Sequence, residues 1–391
     1  MRRVYFDNNA TTPVLPEVFE AMRPYFGEHF GNASSLHRHG QETRAAVERA
    51  RESVAGLLGC RASEIVFTSG GTEADNLAIF GVARAGDHII TSRIEHHAVL
   101  NACRHLDERG CEVTYVPVDG RGVVDLGDVK RALRPNTKLI SIMMANNETG
   151  VIQPVAEIGG IAAEVDAYFH TDAVQAAGKI PVRVDEIGCD LLTISGHKLH
   201  GPQGVGALYV RKGTTLEAMQ YGGRHERSRR AGTENVPGIV GLGCAAEIAR
   251  AGLERGEDKS IAELRDRLER ELFKIESTSG NGIADRVPNT TNIRFDGIDG
   301  EALLIALDLK GLAVSTGAAC SSGAIEPSHV LLAMGLTPEQ ARASIRFSLG
   351  KQNTAEDVDF AVGLVRESAA RLRELSPVWK EAASFEPRAA N

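Results

Sequence analysis

From about residue 60 to residue 210 the chain alternates short β-branched and apolar runs with stretches of helical spacing, and that alternation leaves few folds open. Residues 64–69 read as a strand that turns through Gly70-Gly71 into a helix beginning near Thr72. Residues 88–92 precede a helix from about His97 to Glu108, and residues 112–116 and 138–144 are further strands. Residues 168–172 follow a helix around Val155 to Ala167, residues 189–194 form a buried strand, and 201–210 a glycine-rich turn and one more strand. Strands this continuously apolar are covered on both faces, so the pattern predicts an α/β fold with a mostly parallel sheet between layers of helices. Ligands of such sheets bind beyond the carboxyl ends of the strands. Thr72, His96, Asn147, Asp172 and Lys198 all fall there.

The pattern changes after about residue 255. Ile261, Leu264, Leu268, Leu272 and Ile275 recur at helical spacing in a charged stretch, which predicts an amphipathic helix. Thr354-Ala355-Glu356-Asp357 is a capping-box start for a helix that puts Val358, Val362, Val365, Ala369 and Leu372 on one face. Between them, residues 291–295 and 344–348 read as strands. A chain of 391 residues is too long for one small core, and a second, smaller α/β domain accounts for the remainder. The tail from Ser376 to Asn391, rich in Ala, Pro and charge, is expected to fray.

A net charge of -8 and a pI near 5.9 argue against nucleic acid as the main partner. No apolar run is expected to reach the roughly 18 residues that span a bilayer, and the two arginines at the start are not followed by the apolar stretch of a signal peptide. Cys60, Cys103, Cys111, Cys189, Cys244 and Cys320 are scattered without CxxC spacing, which predicts neither a disulfide framework nor a zinc site, and a reducing cytoplasmic setting. Cys60, Cys103 and Cys244 fit the usual description of buried small hydrophobes. Cys320 does not: it stands in Ser315-Thr316-Gly317-Ala318-Ala319-Cys320-Ser321-Ser322-Gly323, a run of small residues expected to form an exposed, mobile loop.

Lys198 lies in Ser195-Gly196-His197-Lys198, just past a buried strand. A lysine there is partly desolvated, and its amine is biased toward the neutral, nucleophilic form that a Schiff base with pyridoxal phosphate requires. Ser195 and His197 flank it with donors suited to a phosphate. Gly70-Gly71-Thr72-Glu73 opens a helix, where free N–H groups favour an anion, although the same sequence also serves as a plain helix cap. Asp172 either pairs with a pyridinium nitrogen and keeps it protonated or caps a helix over the following Ala173-Val174-Gln175, and nothing local decides between them. His96 is placed to stack on a cofactor ring and move protons; the adjacent His97 points elsewhere, which disfavours a metal pair.

Taken together, the motifs resemble those of the cysteine desulfurases that supply sulfur for iron–sulfur clusters, a branch of the class V aminotransferase family. The resemblance runs from Tyr5-Phe6-Asp7-Asn8-Asn9-Ala10-Thr11-Thr12-Pro13 to Ile345-Arg346-Phe347-Ser348-Leu349-Gly350. It rests on Thr68-Ser69-Gly70-Gly71-Thr72-Glu73, Glu95-His96, Asn146-Asn147-Glu148, Ser195-Gly196-His197-Lys198, Arg230-Ala231-Gly232-Thr233-Glu234-Asn235 and the Cys320 loop. It implies a fold-type-I homodimer. A large domain (15–255), with a mostly parallel seven-stranded sheet covered by helices, would bind the cofactor. A smaller α/β domain, made of 1–14 and 256–391, would carry the Cys320 loop.

By the same resemblance Lys198 holds pyridoxal 5'-phosphate covalently, His96 stacks on its ring and serves in acid–base steps, Asp172 meets the pyridine nitrogen and Gln175 the phenolic oxygen. Gly71, Thr72, Ser195 and His197 hold the phosphate, with Thr233 reaching across from the partner subunit. Asn147 and Arg346 hold the carboxylate of the substrate, L-cysteine. The implied reaction gives L-alanine and a persulfide on Cys320, for an iron–sulfur scaffold protein or another sulfur acceptor, with no nucleic acid or membrane involved. The sequence after Cys320 is similar to that of the long-loop, nitrogenase-type and housekeeping group. Ala318 stands where many members carry serine, and the tail lacks a clear match to the ending by which some members grip their scaffold. An aminotransferase of the same fold would not need Cys320, a selenocysteine lyase activity is compatible with it, and a non-catalytic member would be expected to lose Lys198, Cys320 or Arg346.

Overall fold

The computed structural model describes residues 2–317, 326–376 and 379; Cys320 with the rest of 318–325, and most of the tail, lie outside them. Strand β1 (Val4–Tyr5) belongs with the far end of the chain. The next seven are β2 (Ile65–Thr68), β3 (His88–Ser92), β4 (Glu112–Val116), β5 (Thr137–Ser141), β6 (Tyr168–Asp172), β7 (Leu191–Ser195) and β8 (Gly206–Val210). They form one sheet in the order β2-β8-β7-β6-β5-β3-β4, in which β8 alone runs antiparallel to its neighbours. The α/β class and the seven-stranded, mostly parallel sheet are as expected from the sequence.

The two faces can be read residue by residue, since side chains alternate along a strand. Val66, Ile89, Leu139, Leu191, Leu208 and Val210 pack under the helices Gly71–Val82 and His97–Asp107. Their neighbours Ile65, Phe67, Ile90, Ile140, Leu192, Ala207 and Tyr209 face the helices Arg38–Leu58, Val155–Glu164 and Val236–Glu254. β8 is reversed, so its first residue, Gly206, pairs with both Thr68 and Ser195 at the carboxyl edge. A Cβ on Gly206 would sit 2.7 Å from the Gly70 carbonyl carbon and the Ile194 oxygen. Only glycine permits that approach, and it draws the β2 and β7 ends together.

The remaining strands are β9 (Thr278–Asn281), β10 (Thr290–Phe295), β11 (Leu312–Ala313) and β12 (Ser344–Ser348). β12-β10-β9 is an antiparallel sheet, and β1 pairs in parallel with β11. Val4 and Phe6 from the start of the chain are buried with Leu268, Leu272, Phe295, Phe347, Val358 and Val365. The helix Ala355–Leu375 opens with the expected capping box, in which Thr354 and Asp357 satisfy each other's backbone N–H.

Three sequence expectations need correction. The helix Val236–Glu254 is long and apolar enough to cross a membrane, yet 56% of that apolar window is buried within the fold, much of it in the core it shares with the Arg38–Leu58 helix. It is apolar because it is a core helix. Cys60 and Cys244 are half-buried rather than buried, whereas Cys103, Cys111 and Cys189 are buried. No helix follows Asp172: its Oδ1 accepts from the Val174 N–H at 2.9 Å and closes a turn.

Candidate active site

The carboxyl ends of β2, β3, β5, β6 and β7 surround a cavity of about 230 Å³. Gly71, Thr72, His96, Asn147, Asp172, Gln175, Ser195, His197 and Lys198 all line it, so nine of the eleven described residues expected at the site converge. Thr233 is exposed and lines no part of this cavity. Arg346 is buried one layer behind Asn147. Cys320 lies outside the described residues.

At the β2 end, Gly70 has a φ of 155°, open only to glycine, and hands the chain directly into the Gly71–Val82 helix. The first N–H groups of that 12-residue helix and the hydroxyls of Thr72 and Ser195 form a donor set with the dipole's positive end behind it. His197 is held by Thr11, whose Oγ1 lies 3.1 Å from its Nδ1. Glu73 fixes the turn by accepting from the Ser69 N–H and from Arg230, which ties the segment bearing Thr233 to this turn.

Asp172 is buried at the end of β6, and desolvation raises its carboxyl to about 6, offset in part by the Val174 N–H and the Lys198 ammonium. A cationic ring nitrogen beside it would favour the carboxylate, and a buried carboxylate would keep such a nitrogen protonated. Lys198 follows β7 on a single 3₁₀ turn, Gly196–Lys198. Desolvation, then the positive charge of Arg346, lowers its amine to about 8, against the pull of Asp7 and Asp172. Its Nζ donates to the backbone carbonyls of Asn9 and Ala10.

His96 caps the helix His97–Asp107, with Nδ1 accepting from the Ala98 N–H at 3.1 Å. That bond fixes the neutral tautomer: the ring proton sits on Nε2. Desolvation, then Lys198, lowers the imidazole to about 4 although its edge is open to the cavity, so His96 is neutral near pH 7. Gln175 sits on the turn after Asp172 and is buried. Arg346 donates from Nη1 to the Asn147 carbonyl at 2.9 Å and from Nη2 to Asp7 at 2.6 Å; its buried Nε has no partner among the described residues.

Sequence reasoning missed Asp75, Asn9 and Lys179. Asp75 lines the cavity, buried, three residues along the helix from Thr72, a spacing that places both on one face. Burial, then the nearby Asp172, holds its carboxyl well above the ordinary range. Nothing local marks Asn9, which reaches the site only through the tertiary fold.

A half-buried lysine and a buried carboxyl across one cavity from a helix-start anion cradle define the class: a pyridoxal-phosphate enzyme built on a doubly wound sheet. Comparison with known proteins gives the family. The chain belongs to the aminotransferase class-V family, whose model matches residues 4–360. It is 52% identical over 386 residues to a cysteine desulfurase IscS of Dictyoglomus turgidum, covering 97% of this chain and 98% of that one. Among solved structures, a NifS-like protein superposes with a TM-score of 0.89 at 41% identity, over 95% of this chain and all of that one. SspA in complex with cysteine superposes with a TM-score of 0.79 at 38% identity, over 89% of this chain and 99% of that one.

Proposed function

We propose that the protein is a cysteine desulfurase: L-cysteine is converted to L-alanine, and its sulfur becomes a persulfide on Cys320. The single observation that carries this reading is the convergence of Lys198, Asp172, His96 and the Gly71-Thr72 turn on one cavity, in a chain half identical to named cysteine desulfurases. The solved relative with cysteine bound supports the substrate.

Pyridoxal phosphate fits the residues present: Gly71, Thr72, Ser195 and His197 for the phosphate, Asp172 for the ring nitrogen, Gln175 for the phenolic oxygen and Lys198 for the aldehyde. When bound, it supplies an electron sink for the pair released at the substrate carbon. Lys198, with its amine near 8, takes the substrate α-proton at Nζ. His96, neutral and protonated on Nε2, serves as a donor at the cavity's open side. Arg346 is held by Asn147 and Asp7, its buried Nε–H has no partner among the described residues, and with Asn147 it binds the substrate carboxylate. The Cys320 thiolate attacks the substrate sulfur; an S–S bond forms as the C–S bond breaks, the pair stays with carbon, and protonation there gives alanine. No external oxidant is required.

Thr233 completes the phosphate site of a partner subunit, which makes the working form a homodimer. The five described cysteines are all free thiols, which suits a reducing cytoplasm. The persulfide then passes to an iron–sulfur scaffold or another acceptor. The test is direct: the purified protein with pyridoxal phosphate should be yellow and should form alanine and sulfide from L-cysteine with a thiol reductant. A colourless protein, or one that makes no alanine, would sink the reading.

A further inference from the structure

Asn9 belongs to the Asp7-Asn8-Asn9-Ala10-Thr11-Thr12 run near the start of the chain, and the reaction as described assigns Asn9 no role. It is 2% exposed, and every hydrogen-bonding position it owns is filled. Its backbone N–H donates to Ser348 Oγ at 2.9 Å. Its amide Nδ2 donates to the Asn147 carbonyl at 3.1 Å and to Thr290 Oγ1 at 2.9 Å. Its Oδ1 accepts from Lys179 Nζ at 3.1 Å and Asn289 Nδ2 at 3.0 Å. Its backbone carbonyl accepts from Gln175 Nε2 at 3.0 Å and from Lys198 Nζ.

The seven partners are seven different residues. Four belong to the cavity wall or directly behind it: Lys198, Gln175, Asn147 and Lys179. The other three, Ser348, Thr290 and Asn289, lie in or beside β12 and β10. The side chain is thus a brace between the two sheets, and the main-chain carbonyl it immobilises is the acceptor for both Lys198 and Gln175. The same contacts settle which way round the Gln175 amide sits. Lys179 offers only donors and the Asn9 carbonyl only accepts, so Oε1 turns to Lys179 and Nε2 to Asn9. One N–H of that Nε2 stays free of Asn9.

We propose that Asn9 is a positioning residue for the reaction: by fixing its own carbonyl between the two sheets it sets the place of the Lys198 amine and the orientation of the Gln175 amide. The proposal rests on the pyridoxal-phosphate reading of the site. Asn9 itself performs no chemistry. Its side chain acts through the carbonyl, so removing it leaves the acceptor in the chain but no longer held.

The test uses the full-length protein freed of its cofactor and mixed with pyridoxal phosphate, with the rate of appearance of yellow colour as the first readout. Asn9→Ala should capture the cofactor and turn over L-cysteine roughly tenfold to a hundredfold more slowly, the cost of a reacting group misplaced by about 1 Å. The control is Asn8→Ala. Asn8 is 1% exposed, anchors the same segment to Ser348 and Gln352, and among the described residues hydrogen-bonds neither Lys198 nor Gln175. It should lower the melting temperature while leaving capture and turnover at wild-type rates. Wild-type rates in Asn9→Ala, or equal losses in Asn8→Ala, would overturn the proposal. If Asn9→Ala does not fold, Asn9→Asp is held to the same outcomes: it keeps the shape and the Lys179 contact but turns an oxygen toward the Asn147 carbonyl. A wild-type protein that captures no cofactor would instead remove the reading of the site, and this proposal with it.

Discussion

Arg346, at the centre of β12, reaches across to the loop after β5 and donates to the Asn147 carbonyl at 2.9 Å. Asp7 holds its second terminal nitrogen, and the buried Nε has no partner among the described residues. A buried donor without a partner costs about 1–3 kcal/mol, a cost that a bound carboxylate would relieve. Arg346→Ala should therefore raise KM for L-cysteine tenfold to a hundredfold, corresponding to roughly 1.5–3 kcal/mol. Steady-state kinetics check this. An unchanged KM would assign the carboxylate to another residue.

Lys198 should show its environment in a pH profile. Its amine sits near 8 instead of the ordinary 10.5, chiefly through desolvation. Capture of pyridoxal phosphate needs the neutral amine, which is the minor form below the pKa and the major form above it. The capture rate of the cofactor-free protein should thus rise with pH to about 8 and then level off. A rate that keeps climbing to pH 10 would show an unperturbed lysine. Lys198→Ala should lose the lysine-linked colour and nearly all turnover, even if pyridoxal phosphate still binds through its phosphate.

How far the sequence exposed this site depends on which interactions are local. Lys198, Asp172, His96 and Thr72 were legible because continuously apolar strands fix their carboxyl ends, and the polar residues at those ends share one edge. Asp172 also shows the limit. A helix after it was plausible from Ala173-Val174-Gln175, but tertiary packing favours a turn there. Asn9 was hidden because its seven partners lie between about 140 and 340 residues away in sequence, at distances that only the fold brings together. The Val236–Glu254 helix runs against the expectation of no membrane-length apolar stretch, because a helix covered on most sides by the core is apolar for that reason alone.

The pair Arg51 and Glu226 was equally hidden, since charged residues are seldom this buried. Their side chains are 5% and 3% exposed and meet in a two-pronged contact at 2.7 and 2.8 Å. Glu226 also accepts from the Phe67 N–H of β2, and Arg51 lies over the Phe67 ring at 4.6 Å. Glu226, Arg227 and Ser228 all have positive φ, a strained run that this contact pins in place. Glu226→Ala would leave the buried Arg51 with only the half-exposed Glu48, 3.2 Å from its Nε, as a counter-charge, and should cost up to about 3–5 kcal/mol. Chemical denaturation should show that loss, and a change below about 1 kcal/mol would mean the arginine reaches solvent. Because the strained run leads to Arg230 and Thr233, the variant should also release cofactor faster.

Cys320 separates sulfur transfer from every other pyridoxal-phosphate chemistry on this fold. Cys103 and Cys189 are buried, and burial pushes each thiol up to about 12, which leaves them without reactive thiolate at neutral pH. Cys60 is likewise pushed up to about 12, and Cys111 and Cys244 are raised by the same cause. Among the six, Cys320 is the one that the resemblance to cysteine desulfurases assigns as the acceptor. Cys320→Ser should leave the fold, the yellow colour and the spectral response to L-cysteine intact, because Lys198, Asp172 and the phosphate cradle are untouched. It should abolish alanine and sulfide formation, since a hydroxyl cannot take up sulfur as a persulfide. Changing any of the other five cysteines to Ala should cost stability only. Mass spectrometry of the wild-type protein after brief exposure to L-cysteine should find one added sulfur on the peptide that contains Cys320. Sulfur on a different cysteine, or full activity in Cys320→Ser, would overturn the assignment.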